Sequence, residues 1–157
     1  MANWKLRRAN PQDAPALALC VNAAYYPDFS LIGRLISILE AYYAEQITLY
    51  QVWVAVDKEE IIGGMVLVPK EYHMLLANIV VRPDHQGKGI GRALLELADD
   101  EALSQGYQEI HLYTDKAMTE NIDMYRRSGW TEIQSGGQRG RRIFMRKCLQ
   151  PHVKSRQ

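Results

Sequence analysis

Apolar and polar residues change rhythm several times along the chain, and each rhythm predicts an element. Trp4-Lys5-Leu6-Arg7-Arg8 alternates with period two and predicts a first strand. Asn10-Pro11-Gln12-Asp13 is a helix start, with Asn10 as N-cap, Pro11 at the first helical position and Asp13 in the first turn. Ala14, Leu17, Ala18, Val21 and Ala24 then recur on one face of that helix, and Pro27 stops it. A second helix is predicted from Leu31 to about Gln46, with Leu31, Leu35, Ile38, Leu39 and Tyr42 as its inner stripe. After residue 50 the period returns to two. Val52, Val54 and Val56 predict a strand, Asp57-Lys58-Glu59-Glu60 a turn, and Ile61 to Val68 a returning strand that Pro69 ends. Gly63-Gly64 inside that return predicts a bulge or a close backbone approach.

The second half follows the same logic. The apolar run Leu75-Leu76-Ala77-Asn78-Ile79-Val80-Val81 predicts a buried strand, and Arg82-Pro83-Asp84 a turn. Ile90, Leu94, Leu97 and Ala98 predict a helix to about Gln105, closed by Gly106. Glu109 to Tyr113 reads as a strand. Thr119 reads as the N-cap of a short helix through Tyr125 to Ser128, closed by Gly129. Trp130 to Gln134 and Arg142 to Cys148 predict a final hairpin around Gly136-Gly137. The order β-α-α-β-β-β-α-β-α-β-β contains one parallel unit, strand–glycine loop–helix–strand, flanked by antiparallel hairpins. This predicts an α+β fold of three layers (α/β/α), a mixed and mostly antiparallel central sheet with helices on both faces.

The glycine loop inside the parallel unit is the chemical signal. Gln86-Gly87-Lys88-Gly89-Ile90-Gly91-Arg92 carries three glycines on alternate positions at a helix N-terminus. The first amides of a helix have no intrahelical acceptor, and that end carries partial positive charge. It is therefore an anion site, and phosphate is its usual occupant. A nucleotide P-loop is excluded, because Gly87-Lys88 is followed by Gly89 and no Ser or Thr is placed for magnesium. A dinucleotide G-x-G-x-x-G is excluded as well, because its third glycine falls on Arg92 or Leu94.

Composition narrows the partners. The chain has 157 residues, 47% hydrophobic and 24% charged, with a formal net charge of +1. That predicts one domain over residues 1–149 with a basic tail at 150–157. It also gives no global field to recruit nucleic acid or an anionic membrane. Charge is uneven, however: seven Lys or Arg and no Asp or Glu lie between Arg139 and Gln157. This is either a solvated strand and tail or a surface for RNA. Two distant cysteines, Cys20 and Cys148, predict neither a disulfide framework nor a zinc site. His85 and His111 have no metal spacing. Without a signal-peptide pattern or a membrane-spanning run, the cytoplasm is the expected compartment.

Gln86-x-x-Gly89-x-Gly91, the strand ending Asn78-Ile79-Val80-Val81, the Arg82-Pro83-Asp84 turn and the distal Tyr125-x-x-x-Gly129-Trp130 together resemble the GNAT superfamily of acyl-CoA-dependent N-acyltransferases. Element order and length agree over essentially the whole chain. The resemblance implies acetyl-CoA as cosubstrate, no metal, and direct transfer to a primary amine in a ternary complex. It implies that the backbone of Gly87, Lys88, Gly89, Ile90, Gly91 and Arg92, with Gln86, holds the pyrophosphate of coenzyme A. Lys88 and Arg92 are cations beside it, or solvated residues of a helix start. The resemblance further implies that the strand carrying Ile79, Val80 and Val81 splays from its parallel neighbour and pairs with the pantetheine arm. An amide near Val81 would then polarise the thioester carbonyl. Tyr125 would protonate the leaving thiolate; the other reading is an aromatic packed under the sheet. Asn121, one turn earlier on the same helix, is assigned to the pantetheine or the tyrosine. Many members carry that asparagine seven residues before the tyrosine, where this chain has Met118.

Proton removal from the amine falls to Glu71 or His73 at the start of the key strand. Tyr25-Tyr26-Pro27-Asp28-Phe29 joins the first two helices. Its rings either cap the core or line an acceptor pocket, where Asp28 would orient a cationic amine. The acceptor, a small molecule or a peptide, has no signature of its own, and a homodimer is an expectation from the family alone. Two rivals are a non-catalytic acyl-CoA-binding regulatory module and a ribosome- or RNA-associated protein using Arg139-Gly140-Arg141-Arg142.

Overall fold

The computed structural model describes residues 3–25, 32–133 and 141–151. Its strands and helices in chain order are β1 (Trp4–Arg8), α1 (Ala14–Tyr25), α2 (Ile32–Leu49), β2 (Gln51–Asp57), β3 (Glu60–Pro69), β4 (Met74–Val81), α3 (Ile90–Ser104), β5 (Glu109–Asp115), α4 (Thr119–Arg127), β6 (Thr131–Ile133) and β7 (Arg142–Cys148). The order is the one the periodicity predicts. The seven strands form one sheet in the order β1-β2-β3-β4-β5-β7-β6. β4 and β5 are parallel, while β1/β2, β2/β3, β5/β7 and β6/β7 are antiparallel. Tyr26, Asp28, Leu31 and the Gly136-Gly137 turn lie outside the described residues.

The chain forms two compact units. One carries the residues up to Val68 and Asn78–Leu94; the other carries Pro69–Ala77 and the residues from Leu95 on. In the first, the start of α1 is built as its sequence requires. The Asn10 side chain accepts from the Gln12 amide at 3.0 Å, and Asp13 accepts from the Asn10 amide at 2.8 Å, a capping box on a short 3-10 turn. Arg7 closes on Asp13 with two bonds of 2.8 and 3.1 Å. Burial of Asp13 works against its charge, but Arg7 and the Asn10 amide outweigh it and hold the carboxyl below its ordinary range. Ala14, Leu17, Ala18, Cys20 and Val21 are buried. On α2 the expected stripe shifts: Ile38 is 61% exposed and Tyr43 is buried instead. The inward line runs through Leu35, Leu39 and Tyr43, at spacings of four, which leaves Ile38 on the flank.

The β2–β3 hairpin turns through Lys58 and Glu59, both left-handed (φ 51° and 72°). Gly63-Gly64 makes the close backbone approach, and a bulge lies just before it. Ala55 faces Gly63 and Val56 faces Ile61, so Ile62 is the extra residue of a bulge. A Cβ on Gly63 would stand 2.6 Å from the Val80 carbonyl oxygen, and one on Gly64 would stand 2.7 Å from both Leu17 Cδ2 and the Trp53 carbonyl oxygen. The close approach sets the spacing of β3 and β4, and Gly63 is not in a left-handed conformation. Gly63→Ala is therefore expected to destabilise the protein by about 1–3 kcal/mol through overpacking. Gly106→Ala, left-handed but with open space around it, should cost about 1 kcal/mol. Urea unfolding of both variants checks the order, and equal costs would remove the close-approach argument.

In the second unit, β5 pairs with β7 from Glu109↔Cys148 to Asp115↔Arg142, burying Ile110, Leu112 and Met145. α4 starts differently from its prediction. Thr119 is the first helical residue and Met118 the N-cap, with no side-chain cap. The entry is made upstream, where Asp115 accepts from the Ala117 amide through its side chain and from the Met118 amide through its carbonyl. The first helical bond accordingly reaches Met118 from Ile122. Gly129 (φ 97°) ends the helix in the left-handed region.

Candidate cofactor loop and catalytic residues

The loop after β4 is held by the first unit's own side chains. Pro83–His85 is a single 3-10 turn. Arg82 donates to both oxygens of Asp84, at 2.8 and 3.1 Å, and lies 3.7 Å from Glu60. His85 stands between Asp84 (3.1 Å) and Asp57 (3.8 Å). Hydrogen bonds from Arg82 and His85 hold the Asp84 carboxyl well below its usual range. The Gln86 side-chain amide donates back to the Val81 carbonyl at 3.0 Å and closes the loop on the end of the strand.

Gly87 and Gly89 follow at φ 84° and 87°, in the left-handed region. Beyond the adjacent residues, no protein atom lies within 4 Å of a Cβ built on either of them. The first α3 bond runs from the Ala93 amide to the Gly89 carbonyl (3.0 Å), so the amides of Ile90 and Gly91 precede the helical ladder. The first turn of α3 carries no acidic residue. Lys88 and Arg92 are exposed at its rim. The loop thus presents backbone donors, a helix N-terminus and unfilled space in one place, which suits a multiply charged anion.

The end of β4 belongs to the same unit. Ile79 and Val80 are buried and Val81 half-buried. Tyr25, at the end of α1, donates its hydroxyl to the Ile79 carbonyl at 2.9 Å. Tyr43 of α2, buried, bonds the Asn78 side chain at 2.6 Å. Burial pushes the Tyr43 hydroxyl far above the ordinary phenol range, and the neighbouring tyrosines add to the effect. Neither the Tyr25 nor the Tyr43 contact is legible in the sequence, because each joins residues more than thirty positions apart. Cys20 is 1% exposed, bonds the Ile61 carbonyl at 3.4 Å and is raised by burial to about 11. It is a core residue and not a nucleophile.

The second unit holds the remaining candidates. The parallel ladder of β4 on β5 covers two pairs, Met74↔Ile110 and Leu75↔His111. Tyr125 is 4% exposed, with its ring tilted against Trp130 at 6.1 Å. The Trp130 amide donates to the Tyr125 carbonyl at 3.0 Å, which the reversal at Gly129 permits. Asn121 is half-buried one turn earlier on α4. Glu71 is exposed in the bend before β4. His73 stacks on His111 at 3.8 Å with rings 9° from parallel. His111 bonds Glu109 at 2.8 Å. Burial, then the charge His111 can carry, lowers the His73 pKa. His111 and Glu109 are partners that sequence spacing did not reveal.

The described basic residues of the C-terminal stretch are engaged within the chain. Arg141 pairs with Asp115 (3.0 Å), Arg142 lies over the Tyr113 ring (4.4 Å), and Lys147 bonds Asp99 (2.6 Å). These contacts weaken the case for an RNA surface there. Among the described residues, no group of three or more His, Cys, Asp or Glu is placed to hold a metal ion. None of the described helices is long and apolar enough to cross a membrane.

The family model described as an acetyltransferase (GNAT) domain matches residues 48–132, from the end of α2 into β6. The chain belongs to the GNAT acetyltransferases. The matched segment contains the glycine loop, β4, β5 and Tyr125, so the family assignment rests on the elements described above. Among curated proteins, this GNAT chain is 41% identical over 49 residues to the mycothiol acetyltransferase of Jonesia denitrificans, covering 31% of this chain and 16% of that protein. It is 27% identical over 111 residues to human N-acetyltransferase 8B, covering 67% of this chain and 48% of that protein. The matches thus span less than half the length of those relatives. Among solved structures, the PaiA N-acetyltransferase of Thermoplasma acidophilum in complex with coenzyme A superposes with a TM-score of 0.80 at 18% identity, covering 95% of this chain and all (100%) of that one. That likeness establishes the GNAT fold.

Proposed function

We propose that this GNAT chain is an acetyl-CoA-dependent N-acetyltransferase acting directly on a primary amine of a small molecule or peptide. The observation that carries the reading is the open, left-handed glycine pair at the N-terminus of α3, which suits the pyrophosphate of coenzyme A. The short β4–β5 ladder supports it, since a strand paired with its parallel neighbour only at Met74 and Leu75 can offer later main-chain N–H groups to a pantetheine arm.

In the reaction, the amine nitrogen attacks the thioester carbon. A C–N bond forms, the C–S bond breaks, and the products are the acetamide and free CoA thiol. The amine loses one proton and the departing thiolate gains one. We assign the Val81 amide to the developing oxyanion and Tyr125 to the thiolate as general acid, with Asn121 supporting the pantetheine or the tyrosine. Among the described residues, neither expected base has a partner that would orient it toward an amine. Glu71 stands exposed in its bend, and His73 is held flat on His111.

Isothermal titration with acetyl-CoA, followed by a thiol-release screen over amines, polyamines, aminoglycosides, amino acids and peptides, tests the proposal. Binding and amine-dependent release of CoA are expected. Absence of acetyl-CoA binding would overturn it, and binding without release by any acceptor would favour a regulatory module.

A further inference from the structure

The last residues of β4 have two edges, one of them turned toward β3. The Arg82 amide donates to the Ile62 carbonyl at 2.8 Å, and the Val80 carbonyl oxygen lies 2.6 Å from the place of a Gly63 Cβ. Val80 and Arg82 therefore direct their peptide groups toward β3. Peptide groups in a strand alternate between edges with period two, so Ile79 and Val81 direct theirs to the opposite edge. Along that edge the groups run Ile79 N–H, Ile79 C=O, Val81 N–H, Val81 C=O. Both carbonyls on it receive a side-chain donor. Tyr25 donates to Ile79 at 2.9 Å, and Gln86 donates to Val81 at 3.0 Å.

Two bare carbonyls there would turn their negative ends toward any acyl oxygen brought to the Val81 amide. In a water-poor site that opposes the charge developing on the oxygen. We infer that Tyr25 is a positioning residue for acyl transfer: with Gln86 it masks the carbonyl acceptors on the β4 edge turned away from β3, so that a thioester oxygen meets backbone N–H donors alone. The inference rests on the acetyltransferase reading above. It gives Tyr25 a role through the main chain, distinct from the expected alternatives of core cap and pocket wall. It also gives Gln86 a task toward the acyl end of the cofactor, in addition to its place in the glycine loop.

The test reads the bound carbonyl and needs no acceptor amine. The infrared stretch of acetyl-CoA labelled at the thioester carbonyl is compared, free and bound, in the wild type, Tyr25→Phe and Tyr43→Phe. The wild type should lower the frequency on binding. Tyr25→Phe, which keeps the ring, should return the frequency most of the way to the free value and lower kcat about tenfold with any accepted amine. Its affinity for CoA itself should stay within about twofold. Tyr43→Phe removes the 2.6 Å bond to the Asn78 side chain without touching a β4 carbonyl, and should leave the frequency at its wild-type value. A wild-type frequency in Tyr25→Phe overturns the inference. So does an equal change in Tyr43→Phe, which would mark general loosening of the strand. A wild type that binds no acetyl-CoA overturns the acetyltransferase reading and this inference together. Binding with an unchanged Tyr25→Phe spectrum overturns this inference alone.

Discussion

Gly89→Glu is expected to weaken acetyl-CoA binding by about a hundredfold or more, which corresponds to about 2.7 kcal/mol. Two separate effects contribute. The backbone at Gly89 is left-handed (φ 87°), where a residue with a Cβ is strained by about 1–2 kcal/mol. The Cβ itself meets no protein atom beyond the adjacent residues, so the strain is conformational and the loop answers it by shifting its amides. The glutamate then places a carboxylate in the space beside the Ile90 and Gly91 amides, where the phosphates are proposed to lie. Gly89→Ala carries only the first effect and should weaken binding about tenfold. Protein stability separates loss of the site from loss of the fold. A carboxylate at a helix N-terminus is itself favourable by about 0.3–1 kcal/mol, which offsets part of the strain. Gly89→Glu should therefore unfold within a few degrees of the wild type while its titration signal with acetyl-CoA disappears. Unchanged affinity in both variants would remove the loop as the phosphate site.

The loop was legible in the sequence because its determinants are local. A glycine that must be left-handed, a helix start and a preceding strand all lie within a few residues of one another. The same holds for the Asn10–Asp13 capping box and for the strands β1 and β7, whose bounds the pattern gives to the residue. Gly63-Gly64 was half legible. Adjacent glycines in a strand announce that something comes close, but only the fold shows that it is the Val80 carbonyl on one side and Leu17 with Trp53 on the other. What periodicity misjudged was fixed by geometry it does not contain. Ile38 was lost from the α2 face because the inward line steps by four through Leu35, Leu39 and Tyr43, and Thr119 was lost as a cap because Asp115 starts the turn earlier. Contacts between distant segments, such as Tyr25 on Ile79 or His73 on His111, have no counterpart in spacing. The acceptor is hidden for a related reason. Recognition of an amine requires a few well-placed polar groups, and many sequences can supply them.

Tyr125→Phe is expected to lower kcat about a hundredfold while leaving the dissociation constant of acetyl-CoA within about twofold, the usual scale for losing a positioned general acid. The substitution separates the two readings of this residue cleanly. Tyr125 is buried with its ring tilted against Trp130, and the reversal at Gly129 with the Trp130–Tyr125 main-chain bond fixes that pairing. Phenylalanine preserves the ring and the pairing, so a purely packing role predicts near wild-type turnover and a stability change of about 1 kcal/mol or less from the lost hydroxyl. A proton donor predicts loss of turnover with the fold intact, because only the phenolic hydroxyl is removed. The pH profile adds a second discriminator. A general acid must be protonated to act, so wild-type kcat should fall on the alkaline side, and that limb should be absent from the residual activity of Tyr125→Phe. If turnover stays within twofold of the wild type and the alkaline limb persists, Tyr125 is a packing residue, and the thiolate of CoA leaves without a proton from this side chain.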